Sequence, residues 1–151
     1  MFWFDPANPD VEFCDIRRVD NEKIWTSKDG TDERFLTVNP DTVCDVRDLP
    51  FADNTFWHIV FDPPHLKRGG DNAWLVKKYG KLPPDWADFL AEAFTELFRV
   101  LKPNGTLIFK WNEYDIPVSD ILKAIPFKPM YGHPSGKQQM THWIAFMKDG
   151  E

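Results

Sequence analysis

The sequence predicts an α/β fold with a mostly parallel sheet, and three observations carry that expectation. Phe56–Phe61 (Phe-Trp-His-Ile-Val-Phe) is a largely apolar run bounded by Asp53-Asn54 and Asp62-Pro63-Pro64, as expected of a strand buried on both faces. Trp86, Phe89, Leu90, Ala93, Phe94, Leu97, Phe98 and Leu101 recur at helical spacing and form one apolar stripe. Lys102-Pro103-Asn104-Gly105 then stops that helix and turns the chain into a second apolar run at Thr106–Trp111. Strand, helix, strand in this order is a βαβ unit, which implies a right-handed crossover and parallel strands.

The remaining elements follow from local pattern. Val11–Asp15 alternates apolar and polar residues and ends on an acid, which reads as a strand. Ile24–Ser27 and Arg34–Val38 flank Lys28-Asp29-Gly30, a hairpin signal. Thr42–Val46 reads as a short strand. Asp85 can cap the long helix and Asp88 suits its first turn. A second helix is expected at Ser119–Ala124 and a final strand at Thr141–Lys148. With 151 residues, the chain is expected to be a single domain over residues 1–151.

Composition narrows the function classes. Hydrophobic residues make up 42% and charged residues 28%, which excludes a disordered chain, a coiled coil and a collagen-like repeat. The net charge of −6 argues against a generally basic nucleic-acid binder. The charge is uneven, however: residues 65–81 hold five Lys/Arg against one Asp. Cys14 and Cys44 suggest neither a disulfide framework nor a metal site, and read as buried thiols of a reducing, cytoplasmic compartment. No apolar run approaches the length of a membrane span, and the N-terminus lacks the shape of a signal peptide.

Asp62-Pro63-Pro64-His65 ends the buried strand, at the sheet edge where open α/β sheets bind ligands. Pro64 fixes its own φ and restricts Pro63, and neither proline offers an N–H. The Asp62 carboxylate and the Pro63 carbonyl thus form a stiff pair of acceptors. Such a pair suits a planar amino group whose two hydrogens must be held while its nitrogen reacts. Asp15 and Asp45 are also acids at strand ends, able to accept hydrogen bonds from a nucleoside, although strand ends often carry Asp simply as a turn residue.

With these residues in view, the chain resembles the class I S-adenosylmethionine-dependent methyltransferases. Asp45–Phe56 is similar to their third motif. Asp62-Pro63-Pro64-His65 resembles the Asp-Pro-Pro-aromatic motif of enzymes that methylate amino groups of adenine or cytosine. Phe98–Leu107 resembles their fourth-helix-to-fifth-strand junction. Phe109–Glu113 and Thr141–Trp143 resemble small methyltransferase-like proteins of phage and prophage. The resemblance implies a Rossmann-like three-layer sandwich with an antiparallel last strand, S-adenosylmethionine as cofactor and a nucleic-acid base as substrate. It gives Asp15 to the cofactor ribose and Asp45 to its adenine. Asp62 and Pro63 would hold the target amine, with His65 as the residue on which a flipped base stacks.

Two departures qualify this. The family has a first strand leading into an Asp-x-x-x-Gly-type loop, whereas Met1–Asp5 resembles the stretch after that loop and the first glycine is Gly30. The chain is therefore expected to lack that strand and loop. The second departure is an imidazole at position 65 in place of Tyr, Phe or Trp. Trp57 is expected to pack in the core. In the basic segment Lys67, Arg68 and Lys77 suit phosphates, with Trp74 and Tyr79 for stacked bases. Trp111, Asn112 and Glu113 are expected to line the substrate pocket, and residues 133–137 to form a mobile loop beside it. A small-molecule or protein methyltransferase of the same fold, and a non-catalytic interaction protein on a degraded scaffold, are the alternatives. No metal is expected.

Overall fold

The computed structural model describes residues 3–150; Met1 and Phe2, part of the expected post-loop stretch, lie outside the described residues. The chain divides into two compact units, Met1–Asp45 and Val46–Glu151.

The first unit holds two small sheets. β1 (Cys14–Asp15) pairs in parallel with β4 (Thr42–Val43). β2 (Val19–Thr26) pairs antiparallel with β3 (Glu33–Val38). The Lys28-Asp29-Gly30 turn forms as its sequence dictates. Asp29 Oδ1 accepts from Ser27 Oγ, Thr31 Oγ1 and the Thr31 amide, and Gly30 takes φ 73°. Hydrogen bonds from Ser27 and Thr31, in that order, hold the Asp29 carboxyl down at about 2. The strands of residues 11–15 and 42–46 are shorter than their alternation suggests, with only the paired residues extended into a ladder.

The second unit carries the hydrophobic core. Its sheet has the order β5 (Phe56–Phe61), β6 (Leu101–Asn112), β8 (Thr141–Met147), β7 (Tyr131–Ser135). β5 and β6 are parallel, whereas β8 runs antiparallel to both β6 and β7. The sheet is thus mixed, with the βαβ unit intact. α2 (Trp86–Val100) supplies the crossover. Its stripe buries Leu90, Ala93, Phe94, Leu97 and Phe98 against Leu101, Leu107, Phe109 and Trp111 of β6. Phe94 meets Phe61, Phe109 and Phe146 edge-on at centroid distances of 5.9, 5.2 and 5.2 Å, a favourable arrangement of ring quadrupoles. α3 (Val118–Ala124) adds Ile121 to this core.

β5 departs from expectation in one respect. Among the described residues β5 has only β6 as a hydrogen-bonded neighbour, and Trp57 is 65% exposed rather than packed in the core. The Lys102 ammonium covers its ring at 4.6 Å. The segment 102–105 continues β6 through a register irregularity instead of a separate turn. Asn104 takes the left-handed conformation (φ 62°), and a side chain at Gly105 would meet the Lys102 carbonyl at 2.7 Å.

Two cations secure the C-terminal end of α2. Arg99 donates to the Leu49 and Phe51 carbonyls and to Asp53 and Glu96, which ties the 46–55 segment to the helix. Lys148 places its ammonium on the Phe98 carbonyl at 2.7 Å, the Leu101 carbonyl at 2.8 Å and Asn54 Oδ1 at 2.8 Å. A cation there meets the negative end of the helix dipole and the orphan carbonyls together. Lys148→Met is expected to lower unfolding stability by about 1–2 kcal/mol, read as a lower midpoint in urea with an unchanged slope.

Candidate active site

One edge of the four-stranded sheet gathers the chemically distinctive groups of the second unit. The carboxyl ends of β5 and β6 open there, and β8 begins there. Because Phe61 pairs with Phe109, the next residues on each strand, Asp62 and Lys110, stand side by side. Lys110 Nζ lies 2.7 Å from Asp62 Oδ2. The register that aligns the core phenylalanines thereby sets this ion pair.

The chain after Asp62 is stiff and well tied. Pro63 is buried. Gly80, at φ 78°, approaches Pro64 so closely that an added Cβ would sit 2.9 Å from the proline ring. The Leu82 amide donates to the Leu66 carbonyl at 2.9 Å, and Lys81 Nζ to the Gly69 carbonyl at 2.9 Å. The basic segment is therefore folded back onto the Asp-Pro-Pro-His strand end. Part of it is a short helix, α1 (Trp74–Tyr79), which sequence pattern did not reveal.

His65 is half-buried. Its ring lies 6.4 Å from Tyr79 and 6.5 Å, edge-on, from Trp111. Burial is the main reason its pKa falls below the usual 6.5; Asp62 and Asp115 raise it and Lys110 lowers it. The neutral imidazole is thus favoured at pH 7.

The other expected site residues occupy distinct places. Trp111 is 1% exposed, and its Nε1 donates to the Ile116 carbonyl at 2.9 Å. It belongs to the core and presents an edge to His65. Asn112 organises the strand end: Nδ2 donates to Thr141 Oγ1 at 3.2 Å, and Oδ1 accepts from the Tyr114 amide at 3.1 Å. The Lys67 amide donates to Asp115 Oδ2 at 2.8 Å, and its ammonium lies 6.0 Å from the Trp86 ring. Arg68 is 86% exposed, with Nε 3.4 Å from Asp115 Oδ1. Lys77 is half-buried in α1. Residues 133–135 of the expected mobile loop belong to β7 (Tyr131–Ser135) instead, and the turn proper spans residues 136–140.

Asp15 and Asp45 lie in the first unit. Asp15 ends β1, and the Cys44 amide donates to its carbonyl at 3.2 Å, so the segment leading to Asp45 runs alongside. Asp15 Oδ1 accepts from the Arg17 amide at 2.9 Å and from Arg17 Nε at 3.1 Å, while Oδ2 accepts from Arg17 Nη2 at 3.2 Å.

Two residues, Lys110 and Asp115, were missed by sequence reasoning. Lys110 is the one charge inside the run Leu107–Trp111, a signal that alternation could have exposed. Asp115, its side chain 4% exposed, anchors the start of the basic segment, but nothing local marks it. Glu113 Oε2 accepts the Val118 amide at 3.1 Å and Oε1 lies 2.9 Å from His142 Nε2. The His142 contact first, then the amide, hold the Glu113 carboxyl below its usual range. Among the described residues no group of three His, Cys, Asp or Glu side chains is placed to hold a metal, and no helix is long and apolar enough to cross a membrane.

His65 gives a pH test. Its pKa is raised on unfolding, so the unfolded chain takes up a proton first as pH falls below 6.5 and stability is lost on the acid side. Above 6.5 the effect vanishes. The melting temperature of the wild type is expected to fall more steeply between pH 7 and pH 5 than that of His65→Phe.

No family model and no curated protein matches the sequence. Solved structures of a protein from Thermus thermophilus, provisionally described as a DNA modification methylase, share part of the chain path. Its complex with S-adenosyl-L-methionine overlaps 71% of this chain and 54% of its own, with 17% identity and a TM-score of 0.49. The selenomethionine derivative overlaps 71% and 51%, at 17% identity and a TM-score of 0.49. A third structure overlaps 72% and 52%, at 17% identity and a TM-score of 0.47. The chain spans about half the length of these structures.

Proposed function

We propose that the protein is a methyltransferase-type domain that transfers a methyl group from S-adenosylmethionine to an exocyclic amino group of a nucleic-acid base. The observation that carries this reading is the Asp62-Pro63-Pro64-His65 strand end. It is stiffened by two prolines, braced by Gly80, and joined to Lys110 by a 2.7 Å ion pair. The motif resemblance supplies the reaction class.

The chain's own residues divide the work. Lys110 fixes Asp62 Oδ2 and so orients the carboxylate. Asp62 and the Pro63 carbonyl accept the two N–H groups of the target amine and leave its lone pair free. The carboxylate balances the positive charge that grows on the nitrogen. Neutral His65, backed by Tyr79 and Trp111, offers a face to the base. Holding the amine in line supplies much of the rate through positioning. Arg68 and Lys77 on the basic segment favour a phosphate backbone.

Asp15 and Asp45 are the groups proposed to hold the cofactor, which when bound supplies an electrophilic methyl. A carboxylate offers about four lone-pair sites, and Arg17 uses three of those on Asp15. The set fits one hydroxyl with Arg17 in place and a ribose diol once Arg17 swings away.

The test is transfer of labelled methyl from S-adenosylmethionine to oligonucleotides. The wild type is expected to label them, and Asp62→Asn to do so about 100- to 1,000-fold more slowly with unchanged melting. Undiminished transfer by that variant removes Asp62 from the chemistry. Salt dependence addresses the substrate class. Binding to single-stranded DNA or RNA is expected to weaken with salt, and Arg68→Ala to make the logarithmic slope shallower by about 0.7, the share of one phosphate partner. A flat profile in the wild type favours the small-molecule reading, which the net charge of −6 also suits.

A further inference from the structure

We propose that Cys14 and Cys44 form a dithiol modification site, which closes to an intramolecular disulfide when a small disulfide such as oxidised glutathione is present. The inference concerns the first unit alone and stands apart from the methyl-transfer reading.

The sheet register brings the two cysteines together. Cys14 pairs with Thr42 and Asp15 with Val43 in the parallel ladder of β1 and β4. The Cys44 amide continues that ladder by donating to the Asp15 carbonyl at 3.2 Å. Residues two apart share a face of a strand, so Cys14, Thr42 and Cys44 stand on one face with the cysteines as diagonal neighbours. Each thiol influences the proton affinity of the other. Both are free, Cys14 exposed and Cys44 half-buried, which corrects the expectation that both are buried. Diagonal neighbours stand about 7–8 Å apart, so closure needs a backbone shift, and paired strands only two residues long offer little resistance to one.

The chemistry balances with the named oxidant. One cysteine thiolate attacks a sulfur of oxidised glutathione, forms a mixed disulfide and expels one glutathione thiolate. The second cysteine thiolate attacks the protein-side sulfur and expels the other. Two cysteines are oxidised, one glutathione disulfide is reduced to two thiols, and the two protons from the cysteines pass to the leaving thiolates. The neighbouring thiol makes the second step intramolecular, so the mixed disulfide does not accumulate.

The groups facing the pair make it slow at neutral pH. Burial of the sulfur, the other cysteine, Glu12 and Asp41 push the Cys14 thiol up to about 12. Burial, with Asp45 and Glu12, raises Cys44, against the lowering influence of Cys14. Little thiolate is present at pH 7, and the rate of closure is expected to rise with pH.

The experiment treats the folded chain with oxidised glutathione at pH 7 and at pH 9, then alkylates under denaturing conditions and weighs the intact protein. The expected product has lost two hydrogens, carries no glutathione and accepts no alkyl group, and it forms faster at pH 9. Cys44→Ser is expected to keep a glutathione adduct on Cys14, because nothing resolves it. The proposal is overturned if the wild type keeps two alkylatable thiols at pH 9, carries stable glutathione on both cysteines, or forms covalent dimers instead.

Discussion

The packing of α2 against one face of β6 governs the second unit. β6 turns Leu101, Gly105, Leu107, Phe109 and Trp111 inward and the intervening residues, Lys110 among them, to the other face. The α2 stripe can cover only one phase of that alternation, and the wrong phase would bury Lys110 in an aromatic cluster at large cost. Hydrophobic burial therefore settles the β5–β6 register, and the register sets Asp62 against Lys110. The ion pair follows from the packing rather than causing it.

The candidate site is a polar edge built on that core, where the buried Asp115 Oδ1 has the Arg68 guanidinium 3.4 Å away but no hydrogen bond. Trp111 has its indole nitrogen bonded to Ile116 and one ring edge against His65, so it couples core packing to the imidazole. Asp115 lies under the start of the basic segment and accepts the Lys67 amide. Each of these groups has a structural task that also limits how the Asp62–His65 strand end can move. Stiffness there follows from chain chemistry, with two prolines in sequence and a glycine that alone permits the close approach at position 80.

The first unit is stabilised differently. Ile24 and Pro40 are its buried apolar residues among the described residues, so local polar bonds replace a core. Asp29 organises one turn, and Arg18 ties the start of β2 to Asn39 and Pro40. Asp41 accepts the Phe13 amide at 2.9 Å. These bonds bring two cysteines and two carboxylates onto adjoining strand ends.

The sequence alone was enough to locate α2, the hairpin at Gly30, the βαβ order and the Asp-Pro-Pro-His strand end. Each rests on local chemistry: a 3.6-residue stripe, an Asp-Gly turn, an apolar run, two adjacent prolines. Period and turn residues are written in contiguous chain, so they survive without tertiary information. Partners distant in sequence were not legible. Lys110 meets Asp62 across 48 positions and Lys67 meets Asp115 across 48, and no local pattern encodes either meeting. Trp57 reads as core by composition yet lies exposed, its ring covered by the Lys102 ammonium and by no element of the core. Trp111 reads as pocket lining yet is buried, because the inward phase of β6 claims it. The sequence by itself determined α2, the Gly30 hairpin, the β5 and β6 runs and the Asp-Pro-Pro-His strand end, but not α1 or β7. The tertiary structure decided which face each one occupies and what it touches, since strand register is set by packing between elements that the chain brings together only when folded.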